Sequence, residues 1–199
     1  MALVDRPLRA LLDAFSSQDP TPGGGSAAAL ASSLGASLLL MVAALPKTRN
    51  NTDEDRAALA AASSALTRLR QHLVEAIDAD TAAYDAVVAA YKLPRGSDVE
   101  KEARKSAVQR ALKGATDVPL QVMQLSAEAL TQAAGVGAHG HAGASSDVGV
   151  AGALLRAGLE GARLNVEINL ESVADETYAS AVRAEIERLT SATPGASPR

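Results

Sequence analysis

Cysteine and tryptophan are both absent from this 199-residue chain. No disulfide framework, thiolate metal site or thiol nucleophile is available, which suits a cytoplasmic protein. Aromatic residues make up only 2%, so a wide cofactor box lined by rings is excluded and alanine and leucine must do the packing. An excess of charge of one sign is lacking too. The formal net charge is -4, with acidic and basic residues interleaved along the chain. Such a surface gives no electrostatic reason to expect nucleic acid or an anionic membrane as partner, so a small molecule is expected instead. No strand-like alternation of useful length appears. The pattern predicts one all-α domain over residues 1–190, an antiparallel bundle of long helices, with a disordered tail over 191–199.

Long uncharged runs are nearly absent as well. The exception, Ser26 to Leu45, approaches the length of a membrane span. Its four serines, the preceding Gly23, Gly24 and Gly25, and the lack of any second such run favour the central buried helix of a bundle. The prolines Pro20 and Pro22 also stand where the apolar region of a signal peptide should begin.

The helical pattern starts with Leu8, Leu11, Leu12 and Phe15. A Pro/Gly-rich turn, Gln18 to Gly25, leads to Ser26 as the expected N-cap of the second helix. Thr52 and Asp55 resemble a capping box, and no breaker follows until Pro94, implying a third helix of about 40 residues and about 60 Å. Its apolar stripe runs Leu59, Ala62, Leu66, Leu69, Leu73, Ile77, then Asp80, then Tyr84, Val87 and Tyr91. Ser97 and Glu100 open a fourth helix, which Pro119 should kink or restart and Gly135 to Gly137 should end. After a glycine-rich loop, Ser146 is the expected cap of a fifth helix. A break near Ser172 precedes the last helix, carrying Val173, Tyr178, Val182, Ile186 and Leu189. Small residues at Ala27, Ala31 and Gly35 let another helix approach closely, and the helix type favours a homodimer.

Chemistry is concentrated at few positions. An ionised carboxylate on an apolar stripe, as at Asp80, must be paired, hydrogen-bonded or beside a wet pocket. The turn Gly23, Gly24, Gly25, Ser26 is either a tight connector or a place where free N–H groups receive a ligand oxygen. Asp147 stands in a first helical turn, where a negative side chain is favoured whether or not it has a function. His139 and His141 flank Gly140 without a third partner, so no metal is expected.

Several segments together resemble the formimidoyltetrahydrofolate cyclodeaminase/methenyltetrahydrofolate cyclohydrolase family. They are Pro20 through Leu30; Gly35, Ala36, Met41 and Val42; Asp80 with Ala83 and Tyr84; Tyr91 through Pro94; Arg104 through Leu120; and Ser146 through Asn169. The resemblance implies a dimeric helical folate enzyme with no cofactor beyond the tetrahydrofolate derivative it transforms. In this family the domain can be fused to a formiminotransferase. The stand-alone form and the segment Leu45 to Arg49 tilt the expectation toward hydrolysis of 5,10-methenyltetrahydrofolate to 10-formyltetrahydrofolate. Ammonia-releasing ring closure of the formimidoyl derivative is the alternative, and a non-catalytic folate-binding scaffold is the reading from another class. Within the resemblance, Asp80 is the expected base or cation partner and Lys47 a proton-transfer aid. Asp147 and Ser146 would meet the pterin, Gly23 to Ser26 would line the cleft, and Arg49 would meet the glutamate tail. His141 replaces the asparagine common in the family.

Overall fold

The computed structural model describes residues 1–191. Among them are six α-helices: α1 (Leu8–Phe15), α2 (Gly24–Ala43), α3 (Asp53–Tyr91), α4 (Asp98–His139), α5 (Ser145–Leu170) and α6 (Glu176–Ser191). Ser191 closes α6, and the expectation of a disordered tail otherwise lies outside the described residues. Helices α2 to α5 form an up-down-up-down bundle in which α2 packs on α5 and α3, and α4 on α3 and α5. The hydrophobic core joins Ala29, Leu39, Leu66, Leu73, Met123, Leu155 and Val166 from all four. Half of the most apolar window of α2 is buried. The run long enough to cross a membrane is thus a core helix of the bundle.

Small residues set the α2–α5 spacing. A Cβ on Gly35 would stand 2.8 Å from Leu155 Cγ and 2.9 Å from the Ala151 carbonyl, and one on Gly158 would stand 2.7 Å from the Ala28 carbonyl. The helix seated against Gly35 is therefore α5 of the same chain. Buried Ser32 and Ser126 hydroxyls bond at 2.7 Å and tie α2 to α4. The surface left open on α2 and α5 is apolar, with Leu34 and Met41 on one helix and Val150, Leu164 and Ile168 on the other.

Local signals resolve differently in several places. Thr52 and Ser97 cap α3 and α4 as their sequences imply, and Glu100 completes the second box. Pro119 lies inside an unbroken α4, buried between its neighbours, and Gly135 to Gly137 stay helical; the helix ends only at Gly140. The cap of α2 is Gly23 and that of α5 is Ala144, neither with a side-chain bond, so Ser26 and Ser146 sit inside the first turn. Val173 lies in the α5–α6 connection, where its side chain is buried. Beyond Asp80 the stripe on α3 emerges from the core: Tyr84 and Tyr91 are exposed because α2 begins only at Gly24.

Candidate active site

At the start of α2, the sequence brings a bare backbone against a carboxylate. Asp80 projects from α3 so that its Oδ2 accepts the Ser26 N–H at 2.8 Å and the Ser26 hydroxyl at 3.1 Å. The same hydroxyl lies 2.8 Å from the Ile77 carbonyl. Gly25 is required here by proximity, since a Cβ would fall 2.0 Å from Asp80 Oδ1. That oxygen accepts no hydrogen bond from the described residues. Burial pushes the Asp80 carboxyl above its ordinary value, and the two Ser26 bonds pull against that rise. Gly24 is exposed, and a Cβ on it would stand 3.2 Å from Asn165 Nδ2. Asn165 gives one amide hydrogen to the Gly161 carbonyl at 2.8 Å, which leaves its second N–H and its carbonyl oxygen beside the turn. No positive φ occurs at Gly23, Gly24 or Gly25, so their value is close approach rather than an unusual backbone conformation.

This cleft calls for a substitution that separates binding from folding. Gly24→Val is expected to weaken binding of the folate that the sequence resemblance implies tenfold or more, about 1.4 kcal/mol, with a melting temperature close to wild type. Calorimetry beside a thermal melt checks this. Unchanged affinity with a sharply lowered melt would make the turn a connector only.

The remaining expected site residues gather elsewhere. Lys47 and Arg49 are exposed in the α2–α3 connection, and Ser146 and Asp147 lie in the first turn of α5. His141 caps a short turn, its Nδ1 accepting the Gly143 N–H at 3.2 Å. Arg49 donates from its backbone to the His139 carbonyl at 2.7 Å and from its guanidinium to the Gly137 carbonyl at 2.8 Å. An antiparallel bridge joins Thr48 to Gly140. At 1.5 Å per residue, Asp55 at the start of α3 and Asp80 are about 37 Å apart along the helix. One chain therefore does not bring Lys47, Arg49, His141, Ser146 and Asp147 to the Asp80 cleft.

At this second end stands a pair that the sequence reading assigned otherwise. Asp55 is 2% exposed and accepts from His139 Nδ1 at 2.9 Å, from the Asn50 N–H at 2.6 Å and from the Thr48 hydroxyl at 3.1 Å. The His139 bond, then that of Asn50, holds its carboxyl well below the usual carboxylate range despite burial. An acidic residue in a first turn reads as helix capping, which hides this role in the sequence. Asn165 was visible as a polar residue toward the apolar face of α5. Among the described residues no group of three or more metal-ligating side chains comes together.

A helical bundle thus holds a half-buried carboxylate against a glycine-bared helix start. A model of the formiminotransferase-cyclodeaminase family matches residues 7–188. The chain belongs to that family. It is 41% identical over 121 residues to a methenyltetrahydrofolate cyclohydrolase of Methylorubrum extorquens, a stretch covering 61% of this chain and 58% of that relative. It is 34% identical over 117 residues to the formimidoyltransferase-cyclodeaminase of Sus scrofa, covering 59% of this chain and 22% of that longer protein. In three dimensions it matches a formiminotetrahydrofolate cyclodeaminase from Thermotoga maritima with a TM-score of 0.85, covering 96% of this chain and 92% of the other, at 24% identity. That likeness establishes the fold.

Proposed function

We propose that this chain is a cytoplasmic methenyltetrahydrofolate cyclohydrolase working as a homodimer. The observation that carries the reading is Asp80, a carboxylate of raised pKa with one free oxygen, pressed against Gly25 where no side chain intervenes. Methenyltetrahydrofolate is an amidinium cation, already electrophilic at its bridging carbon. What the reaction needs is a positioned water, a base to take its proton, and a negative group to hold the cation. Asp80 supplies both of the latter. Docking the cation beside it favours the ionised form, which opposes the effect of burial at the moment the base is needed. Gly24, Gly25 and the Asn165 side-chain amide border the same cleft.

Two features taken together support the homodimer. The apolar faces of α2 and α5 are uncovered, and the expected site residues divide between opposite ends of the bundle. Packing two copies antiparallel across that face carries Lys47, Arg49, His141, Ser146 and Asp147 of one protomer toward Asp80 of the other. In that arrangement Asp147 and Ser146 meet the pterin and Arg49 the anionic tail.

The assay is absorbance of the methenyl chromophore. Its loss on adding enzyme, faster than spontaneous hydrolysis, supports the proposal. Its appearance from the formimidoyl derivative with release of ammonia, without hydrolysis, assigns cyclodeaminase instead, and binding without either reaction assigns a scaffold. The pH profile gives a further expected result. A base must be deprotonated to act, so kcat/KM should fall on the acid side with an apparent pKa above the ordinary carboxylate value of 3.8. An acid limb at or below that value would remove Asp80 from the role.

A further inference from the structure

We propose that His139, oriented by Asp55, is the second proton-transfer group of the reaction, serving the Asp80 cleft of the partner protomer; this rests on the dimeric cyclohydrolase reading above. Asp55 is buried and ionised, so it can only accept, and His139 Nδ1 at 2.9 Å must donate. In its neutral form the ring is then the Nδ1–H tautomer, with its lone pair on Nε2. Nε2 makes no hydrogen bond among the described residues, and the side chain is 30% exposed, against 3% for that of Asp55. A buried carboxylate that orients an accessible imidazole is the arrangement by which proteins present a proton acceptor of defined direction. The remaining bonds to Asp55, from Thr48 and Asn50, tie the α2–α3 connection to the start of α3, and the Arg49 N–H bond to the His139 carbonyl ties it to the end of α4, so the ring sits in a braced setting.

The chemistry has room for such a group. Adding water to the bridging carbon forms a C–O bond, and one proton passes to Asp80. The neutral hydroxy adduct must then lose its O–H proton while N5 gains one, as the C–N5 bond breaks and the formyl C=O forms on N10. His139 Nε2 takes the hydroxyl proton and returns it to N5, so the imidazole ends as it began and one proton leaves overall through Asp80. Asp55 is a positioning residue in this scheme. The other charged or titratable groups on the elements around His139 are Lys47 and Arg49 of the connection, His141 beyond Gly140, Glu54 and the paired Asp53 and Arg56 at the start of α3, and Asp147 in the first turn of α5.

His139→Asn is the informative variant, because its amide retains a donor near the Nδ1 position while Nε2 is lost. The full-length protein is expected to keep its melting temperature and substrate KM within a few-fold while kcat falls about 10²-fold or more. Nitrogen NMR of the wild-type protein should show the His139 Nδ1–H tautomer, and Asp55→Asn should release that preference. Wild-type kcat in His139→Asn would overturn the proposal, as would an Nε2–H tautomer. Asp80→Asn measured alongside keeps the outcomes distinct, since its inactivity beside a fully active His139→Asn rejects His139 and leaves Asp80 in place.

Discussion

Asp80→Asn is expected to fold and to lose about 10²- to 10⁴-fold in turnover at saturating substrate, the range for removing a general base. The side chain keeps its volume against Gly25, and it still offers Ser26 an acceptor, so the helix start survives. Its stability should equal or slightly exceed that of the wild type. The sign follows from the raised pKa: the folded state favours the neutral carboxyl, so above that pKa the ionised form costs stability, and an uncharged amide removes the cost. A catalytic group held at the expense of the fold behaves in this way, whereas a carboxylate retained for structure would destabilise when neutralised. Turnover at the wild-type rate, or a large drop in melting temperature, would contradict the assignment.

Gly158→Ala should have the largest effect on stability for its size. The added Cβ would fall 1.9 Å from the Ser32 hydroxyl and 2.7 Å from the Ala28 carbonyl, and the latter is backbone that cannot swing aside. Displacing Ser32 also strains its buried bond to Ser126. Overpacking and the disturbed hydroxyl pair together should cost about 2–4 kcal/mol. For a domain of this size that lowers the melting temperature by about 4–16 °C. Gly135→Ala is the matched control: it lies in the helical interior of α4 with nothing within 4 Å of the added atom. There alanine should raise stability by about 0.5–1 kcal/mol. Equal melts for the two variants would mean that the α2–α5 contact is looser than its geometry implies.

Much of the fold was legible because periodicity and caps are local. Thr52 and Ser97 start α3 and α4 where their side chains imply, and the buried stripe from Leu59 to Ile77 follows from spacing alone. Errors arose where packing overrode local preference. Pro119 stays helical because α4 is held along its length by α3 and α5, and Ser26 forgoes the cap to bind Asp80. The site divided in the same way. Asp80 stood out as a charge on an apolar face, and its pairing with the glycine turn follows from α2 running antiparallel to α3. Which residues share an end of the bundle depends on tertiary arrangement, so Lys47, Arg49, His141, Ser146 and Asp147 could be named but not placed. Asp55 and His139 are far apart in the chain, and each has an ordinary local role that conceals the pair.

Whether the two ends meet across two protomers is tested most directly by mixing Asp80→Asn with His139→Asn, each inactive alone, and allowing subunits to exchange. In a mixed dimer one site receives Asp80 from one chain and His139 from the other, both intact, while the second site receives both substitutions. Recovery of roughly a quarter of wild-type cyclohydrolase activity is expected at random exchange of a two-fold dimer. A mixture that exchanges fully, as shown by differently tagged subunits, yet stays as inactive as either variant alone would contradict a site shared between protomers.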